Sequence, residues 1–103
     1  MPFDGKIELF TSPVVAVLRA AKERIGKPQL WCKNKLASRG RYCAVGAFRF
    51  LAENTGRTDA ACYRFLQRAI GGRSIPHWND DRTTTHAEVM EAFDKAIALA
   101  EQE

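Results

Sequence analysis

The chain has no long hydrophobic run. Its most apolar stretch, Tyr42 to Ala52, is broken by Arg49, and crossing a bilayer takes about 20 such residues. No membrane-spanning segment is expected. Met1-Pro2-Phe3-Asp4-Gly5 lacks a basic start followed by an apolar core, so no signal peptide is expected either. Cysteine is scarce: Cys32, Cys43 and Cys62 are an odd set. Without a secretory signal, this points to reduced thiols in a cytoplasmic protein, not a disulfide framework. Histidine is scarcer still, with only His77 and His86. Together with Cys32 and Cys43 they match no compact zinc pattern, so no metal and no cofactor are expected. Repeats, linkers and low-complexity runs are missing as well. A length of 103 residues then fits a single domain, 1–103, around one core.

What the chain does have is helical periodicity. The 42–54 stretch is apolar on every side of a helical wheel except at Arg49, and a helix apolar all round must be buried all round. It predicts a central helix wrapped by others, ended by Asn54-Thr55-Gly56, with Gly56 as the left-handed residue past its end. Gly46 costs roughly 1 kcal/mol against alanine in a helix interior, and close approach of a neighbouring backbone would explain it. Arg49 needs a partner, with Asp80, Asp94 and Glu88 as candidates.

Three further helices are predicted around it. Residues 1–11 read as a lead-in, after which Ser12-Pro13 opens a helix with Val14, Val17, Leu18, Ala21 and Ile25 on its apolar side. Gly26 and Pro28 end it. Residues 27–41 show no clear helical period, and Arg39-Gly40 suits the turn of a short hairpin within 28–43. Thr58 or Asp59 can cap a third helix with Cys62, Phe65, Leu66, Ala69 and Ile70 buried, stopped by Gly71-Gly72. Residues 71–84 read as a loop. Thr85-His86-Ala87-Glu88 is a capping box opening the last helix. The fold class is therefore mainly α: a small four-helix domain around a buried central helix, with a short hairpin beside it.

Trp31 followed by Tyr42-Cys-Ala-Val-Gly-Ala, Ile75-Pro-His-Trp-Asn-Asp, and Thr85-His-Ala-Glu-Val together resemble the uncharacterised family called domain of unknown function 6197. There, a Trp segment precedes a Cys-Ala-x-Gly-Ala helix and a Trp-Asn-Asp loop opens the terminal helix. The stretch between Trp31 and Cys43 is much shorter in this chain. The resemblance implies a bacterial or phage origin and a helical fold. It implies no activity.

Charge is unevenly laid out. Residues 19–82 carry 14 Lys/Arg against 5 Asp/Glu, whereas residues 83–103 carry only Lys95 against five acids. This pattern fits a polyanion partner, or an acidic last helix lying against a basic body. Lys27, Lys33, Lys35, Arg39 and Arg41 fall in one segment without an acid, and Arg64 and Arg68 share a helix face. This basic set can track phosphates, with Trp31 and Tyr42 able to stack on bases; it also reads as a solvated face. Trp78 and Asn79 rim a ligand site or close one end of the core.

The leading expectation is a small binding or regulatory module that contacts nucleic acid or an acidic protein through Lys33, Lys35, Arg39, Arg41, Arg64 and Arg68, with Trp78 and Asn79 at its edge. The alternative is a small Cys-His hydrolase or transferase. In it Cys43, at a helix N-terminus that lowers a thiol's pKa, is the nucleophile. His86 is its base, and Asp80 or Asn79 orients the imidazole. Cys43 equally reads as a small buried hydrophobe.

Overall fold

A computed structural model describes residues 12–52 and 54–103; the lead-in at 1–11 lies outside the described residues. The first helix, α1, is Pro13–Arg24. Ser12 Oγ accepts from Val14 N at 3.1 Å and Pro13 needs no partner for its nitrogen, so both features that start a helix are in place. Val15, Val17, Leu18 and Ala21 face the core and Ile25 follows them in. A 3-10 turn at Pro28–Leu30 leads to a two-stranded antiparallel hairpin, β1 (Ala37–Ser38) and β2 (Arg41–Tyr42). Arg39 and Gly40 join the strands with φ of 51° and 81°. Positive φ at both positions is what a two-residue hairpin turn demands.

The central helix is shorter than the sequence pattern predicts. The helix α2 is Ala44–Arg49, with Cys43 as its N-cap. Residues 43–48 are buried on every side, as an all-round apolar helix must be, but Phe50 is 49% exposed and Ala52 is also exposed. The reason is at the C-terminal end. Asn54 Nδ2 donates to Phe48 O at 2.7 Å and Leu51 N to the same oxygen at 3.3 Å, closing the last turn. Arg49 therefore emerges at the surface and pairs with Asp59 at 3.1 Å, not with Asp80, Asp94 or Glu88.

Gly56 does not end α2; it is the first residue of α3 (Gly56–Ala69). The cap is Thr55, not Thr58 or Asp59: its extended backbone places Oγ1 3.3 Å from Thr58 N. Residues 71–84 are not all loop. Ser74 caps a six-residue helix, α4 (Ile75–Asp80), with Pro76 in its first turn. The last helix, α5, is His86–Glu101, and its capping box is complete: Thr85 Oγ1 accepts from Glu88 N at 3.2 Å while Glu88 Oε1 accepts from Thr85 N at 2.8 Å. Five α-helices thus stand among the described residues. α5 packs along α1 and α3, and α2 is inserted among α1, α3 and α4. Their inward side chains make one core, with Leu18, Phe48, Leu66, Ile75 and Phe93 at its centre. No helix among the described residues is long and apolar enough to cross a membrane.

Gly46 shows why α2 sits where it does. A Cβ on this residue would fall 2.0 Å from the backbone oxygen of Leu36. That same carbonyl accepts from Cys43 N at 3.1 Å. The chain just before the hairpin thus lies directly on the helix. Gly46→Ala should lower stability by about 1–3 kcal/mol in denaturant unfolding through overpacking, although in an open helix the same change gains roughly 1 kcal/mol. A stabilised variant would show that Leu36 does not rest on this turn.

Candidate functional site

The helix α4 exists because Ser74 and Pro76 start it and Ile75, Trp78 and Asn79 bury its inner side. Asn79 is 1% exposed, and a buried carboxamide must find partners. It finds four. Its Oδ1 accepts from Trp31 Nε1 at 2.7 Å and from Ala44 N at 2.9 Å. Its Nδ2 donates to Cys32 O at 3.1 Å and to Asp80 Oδ1 at 2.9 Å. Asp80 Oδ1 also accepts from Asn34 N at 2.7 Å, and Lys33 Nζ donates to Asp81 O. One face of α4 therefore holds the 31–34 segment and the first amide of α2 together.

On the outer side of that segment lies a groove of about 510 Å³ lined by Trp31, Cys32, Lys33, Lys35, Ser38, Arg39 and Arg41. No acid lines it. Lys33 Nζ sits 5.3 Å from the centre of the Trp31 ring, a cation–π distance. The indole N–H is committed to Asn79, which leaves the ring only its faces for further contacts. Arg24, at the end of α1, stacks on Tyr42 at 4.0 Å and adds positive charge beside β2. Spacing does not single out Arg24; a basic last-turn residue followed by the hairpin tyrosine is the only trace in the sequence.

The basic residues predicted to act together fall into two groups. Lys33, Lys35, Arg39 and Arg41 share the groove. Arg64 and Arg68 are on α3 and do not line it; Arg68 approaches Glu103 at 3.8 Å and lies over Phe65. Much of the remaining charge is matched internally. Lys22 reaches Asp94 at 2.6 Å and Arg19 pairs with Glu101, so the acidic last helix does lie against basic α1.

Cys43 and His86 have different partners. Cys43 Sγ accepts from Gly46 N at 3.3 Å and faces a cavity of about 260 Å³ that Lys35, Pro76 and Asp80 also line, with no imidazole. His86 Nε2 hydrogen-bonds Ile25 O at 2.7 Å, closing the end of α1, and its ring is 6.1 Å from that of Trp31. Burial pushes the Cys43 thiol up; the helix amides around Gly46 oppose this and lose. Trp78 is buried at the core edge, and Asn79 has no free hydrogen-bonding group to offer a ligand. Among the described residues no group of three His, Cys, Asp or Glu side chains is placed to hold a metal ion.

The chain matches the model of a family of unknown function (DUF6197) over residues 10–99. It belongs to that family. No curated protein and no solved structure matches it. Within this member of the DUF6197 family, the Trp-Asn-Asp motif acts as a clamp: its asparagine binds Trp31, Cys32 and Ala44.

Two measurements check this geometry. Asn79→Ala leaves the indole, the Ala44 amide and the Cys32 carbonyl without their partner, each worth about 1–3 kcal/mol when buried. A loss of at least about 3 kcal/mol is expected in chemical unfolding. The thiols give a pH dependence. Burial raises all three, and Cys62 is pushed up to about 12 from an ordinary 9.0. The unfolded chain then gives up protons that the folded chain keeps, so stability is intact below about pH 9 and falls above it. Unfolding midpoints at about pH 8 and about pH 11 should show a smaller drop for Cys62→Ala than for the unaltered chain.

Proposed function

We propose that this protein is a binding module that grips nucleic acid through the basic groove of its hairpin. The observation that carries the reading is the lining of that groove: Lys33, Lys35, Arg39 and Arg41 around Trp31, with no acid. Such a surface takes up a phosphate backbone by displacing condensed counterions, while an aromatic ring in the wall of the groove stacks on a base without regard to sequence. The groove's cations are not spent on internal ion pairs among the described residues. The reading places the protein in a cytoplasm, in keeping with three cysteines that are free thiols in this structure. It also retains the bacterial or phage setting that the family resemblance implies.

Binding to a generic duplex and a generic single strand, titrated with salt, tests it. Each neutralised phosphate on duplex DNA steepens the log–log slope by about 0.9. Replacing Lys33, Lys35 and Arg39 by alanine should flatten the slope by about 2–3 units. Replacing Arg64 and Arg68, which lie off the groove, should leave it unchanged. No binding to either strand type at low salt overturns the nucleic-acid reading and turns attention to an acidic protein. Binding with an unaltered slope in the triple variant moves the interface off the hairpin.

A further inference from the structure

Cys32 and Cys43 bracket the basic hairpin, and the backbone brings them side by side. Trp31 pairs with Tyr42 in a parallel bridge, and Cys32 N donates to Tyr42 O at 3.1 Å. One residue further along both chains, Cys32 and Cys43 are the next pair in that register. Neighbouring strands lie about 4.7–4.9 Å apart, and paired residues in parallel register project from the same face. A disulfide asks for Cα atoms about 4.4–6.8 Å apart. Residues 35 and 36 lie beside both cysteines: Cys32 Sγ approaches Lys35 O at 3.5 Å, and Cys43 lines a cavity together with Lys35 and Leu36 and donates its N–H to Leu36 O at 3.1 Å. Burial raises both thiols, and the charge of Cys43 raises the Cys32 thiol further. Cys62 is different. It is fully buried, and its Sγ lies 3.9 Å from Val14 O.

We propose that Cys32 and Cys43 are a redox-active dithiol, which a low-molecular-weight disulfide converts to an intramolecular disulfide closing the ring around the hairpin. Cys32 is the more exposed sulfur and lines the open groove, so its thiolate attacks first. An S–S bond forms between Cys32 and one half of the small disulfide while the other half leaves as a thiolate and takes up a proton. Cys43, having lost its proton to solvent, then attacks the Cys32 sulfur and expels the second half. Two protein thiols are oxidised and one small disulfide is reduced to two thiols. The reaction is slow at neutral pH and speeds up as pH rises toward the raised thiol values. It does not depend on what the groove binds.

The test incubates the full chain with oxidised glutathione, blocks remaining thiols, and maps the trypsin digest without reduction. Cleavage after Lys33 and before Tyr42 puts the two cysteines on separate peptides. The expected result is a cross-link joining those peptides, two of the three thiols lost, Cys62 still free, and full reversal by excess reduced glutathione. Cys32→Ser and Cys43→Ser should each abolish the cross-link. Serine at 43 keeps an N-capping oxygen, and the unaltered chain alone already decides the result. Glutathione retained on Cys32, a bond to Cys62, disulfide-linked dimers, or three free thiols after prolonged oxidation at raised pH would each overturn the proposal.

Discussion

The structure depends on one buried carboxamide. Asn79 uses both lone pairs of its oxygen and both hydrogens of its nitrogen, and its partners lie in three separate parts of the chain. An amide hydrogen bond contributes only about 0.5–1.5 kcal/mol net, but a buried group left unpaired costs more. The asymmetry makes Asn79 a constraint before it is a source of stability. Once α4 buries this side chain, Trp31, Cys32 and Ala44 must come to it. The segment before the hairpin is held by backbone and polar contacts more than by apolar burial, because residues 34–37 are exposed. Polar pairing here does the work that apolar burial does elsewhere in the domain.

The second anchor of the hairpin is steric. Leu36 O lies where a Cβ of Gly46 would be, and it accepts from Cys43 N. The amide clamp at Asn79 and the backbone contact at Gly46 hold the same segment at both ends of α2's first turn. The groove on its outer side is therefore preformed: Lys33 is fixed further by Asp81 O and by the Trp31 ring. A surface held this way loses little conformational freedom on binding, which is the main saving a rigid site offers. Arg39 stands in the two-residue turn and Arg41 just after it, both exposed at the hairpin's tip.

How much of this is legible in the sequence follows from the range of each interaction. Ser12-Pro13 and the Thr85/Glu88 box are readable because a cap and its target lie within three residues. The glycine in α2 correctly signals a close backbone, though not which one. The length of α2 is misjudged because periodicity registers only apolar character; the side chain that ends the helix, Asn54, works through Phe48 O. Six residues of α4 are too few for a period to show, and Pro76 reads as easily as a loop signal. The clamp is invisible for another reason. Asn79 sits 48 residues from Trp31 and 35 from Ala44, and nothing local to either end announces the other. For the same reason Cys43 and His86, both at helix starts, look alike on paper, yet one closes its own first turn and the other closes α1.

The charge layout carries the last step. Read as a sum, the excess of base over acid spreads over the whole body of the chain. In the fold, α5 lays its acids against α1: Asp94 takes Lys22 and Glu101 takes Arg19. Exposed pairs of this kind add under about 1 kcal/mol each to stability, so their larger effect is on the field. They offset charge where α5 meets α1 and leave Lys33, Lys35, Arg39 and Arg41 around a groove that no acid lines, with Asp80 and Asp81 held on the α4 side of that segment. Electrostatic attraction falls off over about 10 Å in ordinary salt. An approaching polyanion therefore responds to the local concentration of charge, not to the net +4 of the chain. The packing of the acidic helix, far from the groove in sequence, is what gives the groove its contrast.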